Sequence, residues 1–257
     1  MRFLAIGDLV SHAGLDKLSS NITSIQEKEN IDFTIVNVEN CSDGMGLNFK
    51  DYSELKKLNI DVMTMGNHTW AKKDIFSFID NDDSNIIRPA NYSKGLPGKG
   101  YIIKNKNGKR ICIMNFIGRT DMGVLSDNPF QCFDKIYEEI KENVDLIIVD
   151  FHAEATAEKI AFKNYVDGRA NCVFGTHTHV QTADEQITEK GMCYITDLGM
   201  TGPKNSVIGM DVEASLKRFV TSLPERYKVA SGECLLNGIV FEIDDNKKAI
   251  DIHRIML

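Results

Sequence analysis

Short apolar runs with strand character alternate with helical patterns along this 257-residue chain, and five of those runs end in residues able to bind a metal. The five tips are Asp8, then Glu39 with Asn40, then Asn67 with His68, then His152, and finally His177 with His179. Alternation of strand and helix restricts the chain to a layered α/β fold. In open α/β sheets ligands gather outside the carboxyl ends of the strands, so the five tips are expected to face one crevice.

The strands of the first part are read at Phe3 to Ile6, Phe33 to Val38, Val62 to Met65, Ile111 to Phe116, Leu146 to Phe151 and Asn171 to Phe174. Helices are expected at Leu15 to Glu29, Tyr52 to Leu58, Lys73 to Ile79, Phe133 to Glu142 and Ala155 to Asp167. Asn107-Gly108 predicts a tight hairpin turn between Tyr101 to Lys104 and Arg110 to Met114. From Gly191 onward the rhythm changes. Cys193 to Thr196, Tyr227 to Ala230, Leu235 to Ile243 and Ala249 to Met256 read as β, with a helix near Val212 to Thr221, and antiparallel pairing suits the last strands. Leu198 to Asp211, carrying Gly199, Gly202, Gly209 and Pro203, reads as a mobile loop over the crevice. No repeat or charged linker divides the chain, so residues 1–257 are expected to form a single domain.

Composition excludes several function classes. With 42% hydrophobic and 26% charged residues the chain can bury a substantial core, and disorder is excluded. The longest apolar runs fall far short of the roughly 20 residues that cross a bilayer. Arg2 to Ile6 is already strand-like and lacks a signal region, so the expected location is the cytoplasm. The six cysteines contain no Cys-x-x-Cys pair, which argues against a zinc ribbon, a redox motif or a disulfide scaffold; most are expected to be buried, reduced and inert. A net charge of −7 opposes nonspecific binding to nucleic acid, while a small phosphate ester held by metals stays allowed.

Each tip has an ordinary reading by itself. Asp8 is a common turn residue, Glu39 could open a solvated loop, Gly66-Asn67 is turn chemistry, and a lone histidine is more often structural. Buried instead at the end of an apolar strand, Glu39 would need a positive partner such as a metal, on which the Asn40 amide oxygen could add a neutral ligand. His177 and His179, at i and i+2, project from the same side if the backbone is extended and can feed neighbouring metals. Four of the six histidines stand at these tips, and a common metal site accounts for all of them together. His12, in a loop, and His253, in the terminal strand, lack this support.

Longer strings carry a resemblance. Gly66-Asn67-His68-Thr69-Trp70, Arg88-Pro89-Ala90-Asn91, Asp150-Phe151-His152-Ala153-Glu154-Ala155-Thr156, Gly175-Thr176-His177-Thr178-His179-Val180-Gln181-Thr182 and Asp197-Leu198-Gly199-Met200-Thr201-Gly202-Pro203 look like the calcineurin-like metallophosphoesterases. Almost end to end, the chain resembles their YmdB-like branch, associated with phosphodiesterase activity on 2′,3′-cyclic nucleotides. That resemblance implies two packed mixed β-sheets flanked by helices, with a dinuclear centre in a surface cleft. One metal would be held by Asp8, Glu39, Asn40 and His179, the other by Glu39, Asn67, His152 and His177, with Glu39 bridging and His68 as proton donor. Homo-oligomeric assembly is implied as well. The chain departs from the superfamily's Asp-x-His at Val10, from the branch's usual Gly-x-Pro-Gly-Arg type turn at Ser11-His12-Ala13-Gly14-Leu15, and from its usual aspartate at Ala71; none of these removes a ligand.

Such a centre suits iron or manganese, with zinc possible, because its ligands mix nitrogen and oxygen. Two cations about 3.5–4 Å apart can share a water, lower its pKa and deliver hydroxide in line with phosphorus. The expected partner is a small phosphodiester. A phosphomonoesterase or nuclease on the same site, or a regulatory protein whose metal centre serves stability or signalling, are the rival readings.

Overall fold

In a computed structural model, which describes residues 1–226 and 228–257, the apolar runs pair into two six-stranded mixed sheets and one small three-stranded sheet. The first sheet runs through β15 (Ala249–Met256), β14 (Asn237–Ile243), β1 (Arg2–Ile6), β3 (Phe33–Asn37), β4 (Val62–Thr64) and β5 (Ile86–Ile87). Its members β1, β3, β4 and β5 are parallel, and β14 and β15 join antiparallel, as expected for the last strands. The second sheet runs through β10 (Gln186–Ile187), β11 (Cys193–Ile195), β9 (Cys172–Thr176), β8 (Leu146–His152), β7 (Lys109–Ile117) and β6 (Tyr101–Lys106). Its central four are parallel, and β6 turns into β7 through Asn107 and Gly108 at φ 51° and 76°, the pair of positive angles a tight hairpin of this hand requires.

One apolar layer is shared by both sheets. Phe3, Ile35 and Phe241 of the first and Ile113, Ile148 and Phe174 of the second are all buried in it. Each such side chain contributes about 1.5–3 kcal/mol by leaving water. The outer face of the first sheet is covered by α1 (Ser11–Lys28) and α2 (Phe49–Leu55), that of the second by α3 (Pro129–Ile140) and α4 (Thr156–Val166). This is the expected arrangement of packed mixed sheets flanked by helices.

The small sheet sets Asp8 in place. It pairs β12 (Met200–Pro203) with β2 (Asp8–Leu9) and with β13 (Cys234–Leu235), Met200 lying opposite Asp8. Residues 198–203, expected in a mobile loop, are therefore buried and largely in strand, because they satisfy the backbone groups that β2 offers. Only 204–211 remains a loop, leading into α5 (Val212–Thr221).

Three further expectations shift. Helix α1 starts at Ser11, not Leu15, so His12 sits in its first turn and not in a loop. A Cβ on Gly14 would lie 2.3 Å from the Thr201 carbonyl oxygen, so bare glycine lets this turn press against β12. Lys73–Ser77 forms a 3₁₀ helix. Of the β run expected at Tyr227 to Ala230, Tyr227 lies outside the described residues, and among the described ones Val229 makes a single bridge to Met210. All six cysteines are free, with four of them buried, and no helix among the described residues is long and apolar enough to cross a membrane.

Candidate metal centre

The parallel strands of both sheets deliver their carboxyl ends to one place. Asp8 opens β2, Glu39 and Asn40 follow β3, Asn67 and His68 follow β4, His152 closes β8, and His177 and His179 follow β9. All eight expected residues come together there. Asp8, Glu39 and His152 are buried, whereas His68, at 31% side-chain exposure, lines a surface cavity of about 370 Å³.

Contacts converge most tightly on His152. Its Nε2 lies 2.8 Å from Asn67 Oδ1, 3.0 Å from His177 Nδ1 and 3.1 Å from Glu39 Oε1. One ring N–H cannot serve three acceptors at once, but a cation can. Among the described residues, Glu39, His152 and His177 form the group whose ligand-type atoms all lie within 4.8 Å of one another. The backbone below is bare for the same reason: a Cβ on Gly66 would come within 2.3 Å of Glu39 Oε2 and 2.4 Å of His152 Nε2.

A second, looser group adjoins it. His179 Nε2 lies 3.1 Å from Asn40 Nδ2 and 3.9 Å from Asp8 Oδ1, and that buried Asp8 oxygen has no hydrogen-bond partner among the described residues. A buried carboxylate oxygen facing an imidazole and lacking any donor fits a cation. Glu39 stands between the groups, with Oε1 3.1 Å from both His152 Nε2 and Asn40 Nδ2. Asn40 turns its amide oxygen to His68 Nδ1 at 2.7 Å, so the oxygen expected to serve as a neutral ligand already accepts from that ring.

The expectation of extended backbone at His177 and His179 is wrong. Their φ values are 104° and 66°. The His177 N–H donates to Asp8 Oδ2 and the Thr178 N–H to Asp197 Oδ2, and these carboxylates draw the backbone into a sharp loop. The rings consequently part, His177 toward His152 and His179 toward Asp8 and Asn40. Such conformations cost on the order of 1–3 kcal/mol per residue, and they concentrate at functional sites.

Outer hydrogen bonds fix which ring nitrogens face inward. His152 Nδ1 lies 2.9 Å from Thr176 Oγ1, whose hydroxyl donates to buried Asp150. His177 Nε2 lies 3.1 Å from Glu154 Oε2, and His179 Nδ1 donates to the Ile208 carbonyl at 2.8 Å. Burial raises the Asp150 carboxyl to about 6.

The other titrations follow from crowding. Burial pushes Glu39 up, yet His152 and His68 outweigh it and hold the carboxyl well below its ordinary value. Burial pulls His152 down, but Glu39, Asp8 and Asp150 raise it to about 9. His177 is lowered to about 3, by burial first and then by His152, and burial raises Asp8. Ligands of a cation must shed their protons, so metal uptake competes with the proton on His152.

Sequence reasoning gave no role to Glu154, Lys159, Asp197 or the apolar part of the cavity lining, Met45, Ile208 and Met210. Glu154 and Asp197 do stand inside the motif strings that carried the resemblance. No periodicity marks the others.

Comparison with known proteins shows the family. A family model described as YmdB-like protein matches residues 4–255. A 2′,3′-cyclic-nucleotide 2′-phosphodiesterase of Bacillus subtilis is 49% identical over 258 residues, covering 100% of this chain and 97% of the relative. The crystal structure of a phosphatase from Mycoplasma pneumoniae superposes with a TM-score of 0.94 at 38% identity, covering 100% of this chain and 93% of that one. A Haemophilus influenzae NAD nucleotidase reaches a TM-score of 0.63 at 12% identity, covering 100% of this chain and 55% of that one, a likeness of fold alone.

Proposed function

The chain belongs to the YmdB-like family, and from that premise we propose that it is a metal-dependent phosphodiesterase opening nucleoside 2′,3′-cyclic phosphates. The observation that carries the reading is the convergence of Glu39, Asn67 and His177 on one buried nitrogen of His152, at the floor of a cavity that admits a small ester. In this proposal Asp8, Glu39 and His179 hold one ion, with Asn40 adding its amide oxygen through the lone pair that His68 leaves open, and Glu39, Asn67, His152 and His177 hold a second. The mixed nitrogen and oxygen donors suit iron or manganese, with zinc as the alternative. When bound, the two ions supply Lewis acidity, lowering the pKa of water and neutralising phosphate oxygens.

The chain's own part is positioning and proton transfer. His68 donates through Nδ1 to Asn40, which leaves the Nε2 edge to carry a proton to the leaving oxygen. A water oxygen bonds to phosphorus as it releases a proton to solvent, the P–O2′ bond breaks, and O2′ takes the proton carried on His68 Nε2, giving a nucleoside 3′-phosphate; solvent then returns a proton to His68. The choice of the 2′ bond follows the activity named for the Bacillus subtilis relative.

Metal-loaded protein should convert 2′,3′-cyclic AMP to 3′-AMP and hydrolyse bis(p-nitrophenyl) phosphate faster than the monoester, by chromatography and absorbance. Preference for the monoester would replace this reading with a phosphomonoesterase, and cleavage of long RNA alone would make the protein a nuclease. His68→Ala should keep its metal content by plasma emission while kcat on 2′,3′-cyclic AMP falls about 10²–10⁴-fold. The nitrophenyl ester, whose leaving group needs no proton, should lose less. Full turnover of the cyclic nucleotide would remove His68 from the role.

Glu154 acts here as a positioning residue for His177. Its carboxylate accepts the hydrogen bond of the Nε2–H, leaving Nδ1 unprotonated and free to ligate. Glu154→Ala should weaken cation binding about 10–100-fold, by titration against a chromophoric chelator. Glu154→Gln, which keeps an acceptor oxygen, should recover most of the affinity; unchanged affinity in the alanine variant would dismiss the role.

A further inference from the structure

Charged and polar groups account for only part of the cavity lining; its apolar side chains are Met45, Ile208 and Met210. Met45 is 36% exposed and Ile208 49% exposed, in a chain whose strand residues of that size are mostly buried. Ile208 has φ 48°, an unfavourable conformation for a β-branched residue. Strain of this kind persists only where its surroundings enforce it.

The surroundings here do. The Ser206 hydroxyl donates to the Pro203 carbonyl, the Gly209 N–H donates to Ser206 Oγ, and Val207 and Met210 exchange backbone hydrogen bonds at 2.8 and 2.9 Å. The Ile208 carbonyl is tied in turn to the His179 ring. Met45 stands on the neighbouring loop, which is closed onto Glu39 by the Gly46 N–H. The Met210 methyl lies 2.9 Å from where a Cβ on Gly44 would sit, so the two loops touch. Both loops are anchored on site residues, and each presents an apolar side chain to the cavity.

We propose that Ile208 and Met45 form the platform on which the substrate's nucleobase rests. The assignment builds on the phosphodiesterase reading and locates the part of the substrate which that reading leaves unassigned. A nucleoside cyclic phosphate has one anionic end, matched to the ligand cluster, and one flat, weakly polar ring system. Methionine sulfur makes favourable contacts with aromatic rings, and a branched aliphatic group covers a ring face. A face-on platform reads area and not hydrogen-bonding edges, as base stacking generally does. The nearby Asp43 carboxylate is engaged by Lys72 at 2.9 Å. All four bases should therefore be accepted, purines ahead of pyrimidines.

The test compares 2′,3′-cyclic AMP with a methyl ribofuranoside 2,3-cyclic phosphate, which has the same reacting bonds and no base. Ile208→Ala and Met45→Ala, on separate loops, should each raise KM for the nucleotide about 2- to 10-fold with a much smaller change in kcat. The baseless ester should respond far less. Equal losses on both substrates, or no loss in either variant, would overturn the platform. So would a wild-type enzyme that processes the two esters equally well. A wild-type enzyme inert on both would instead refute the phosphodiesterase reading beneath it.

Discussion

Glu39→Gln is expected to strip the centre of bound metal and lower kcat/KM on 2′,3′-cyclic AMP by on the order of 10²–10³-fold, the scale lost when one electrostatic stabiliser of a transition state is removed. The side chain is 1% exposed. Its Oε1 lies 3.1 Å from His152 Nε2 and from Asn40 Nδ2, and Oε2 accepts the His68 N–H at 3.0 Å. Glutamine has the same shape but no charge, and its amide would point a donor at one of these donors. The anion proposed to serve both ions is lost, and a donor clash replaces it. The His152 ring, held at about 9 chiefly by Glu39 against its own burial, should then titrate lower, which NMR can follow in the metal-free protein. Glu39→Asp retains the charge one methylene short and should recover part of the metal content. Full metal and near-native turnover in Glu39→Gln would refute the bridging role.

That prediction was legible from sequence because Glu39 ends an apolar strand run, and the other expected ligands occupy the same kind of position in their own runs. Strand periodicity locates a tip even when the sheet order is unknown. Helix starts were less visible. Helices α2 and α3 begin three and four residues before the expected Tyr52 and Phe133, at caps where Asn48 accepts from the Asp51 N–H and Asn128 from Phe130 and Gln131. Reading the apolar face finds where packing begins, while an asparagine cap satisfies backbone donors one turn earlier.

Backbone angles were also hidden. His-x-His reads as extended by default, and only the distant carboxylates of Asp8 and Asp197, which take the His177 and Thr178 N–H groups, explain why the loop turns. The apolar lining has the same origin. Ile208 reaches the cavity because residues 198–203 are drawn into a sheet beside β2, a long-range pairing that no local pattern announces.

Lys159→Met should destabilise the protein by about 3–5 kcal/mol, the usual cost of removing one partner from a buried ion pair. Lys159 and Asp197 are 2% and 1% exposed, and Nζ lies 2.7 Å from Oδ2. Within α4 nothing in the sequence marks this lysine; the fold points it at the Asp197 oxygen that also takes the Thr178 N–H of the His177–His179 loop. Its aliphatic stem runs past Gly175, where a Cβ would lie 3.1 Å from Lys159 Cδ. Without the ammonium, the Asp197 charge keeps, among the described residues, the Thr178 and Gly199 N–H groups as donors. Urea unfolding of metal-free protein reads the stability. Because Asp197 also shapes the histidine loop, chelator titration should show weaker metal binding in the folded fraction. Adding Asp197→Asn removes the stranded charge, so the double variant should lose less than the sum of the two single changes, a non-additivity of roughly 0.5–3 kcal/mol expected of direct partners. Strict additivity, or a Lys159→Met variant as stable as wild type, would mean that another cation compensates Asp197.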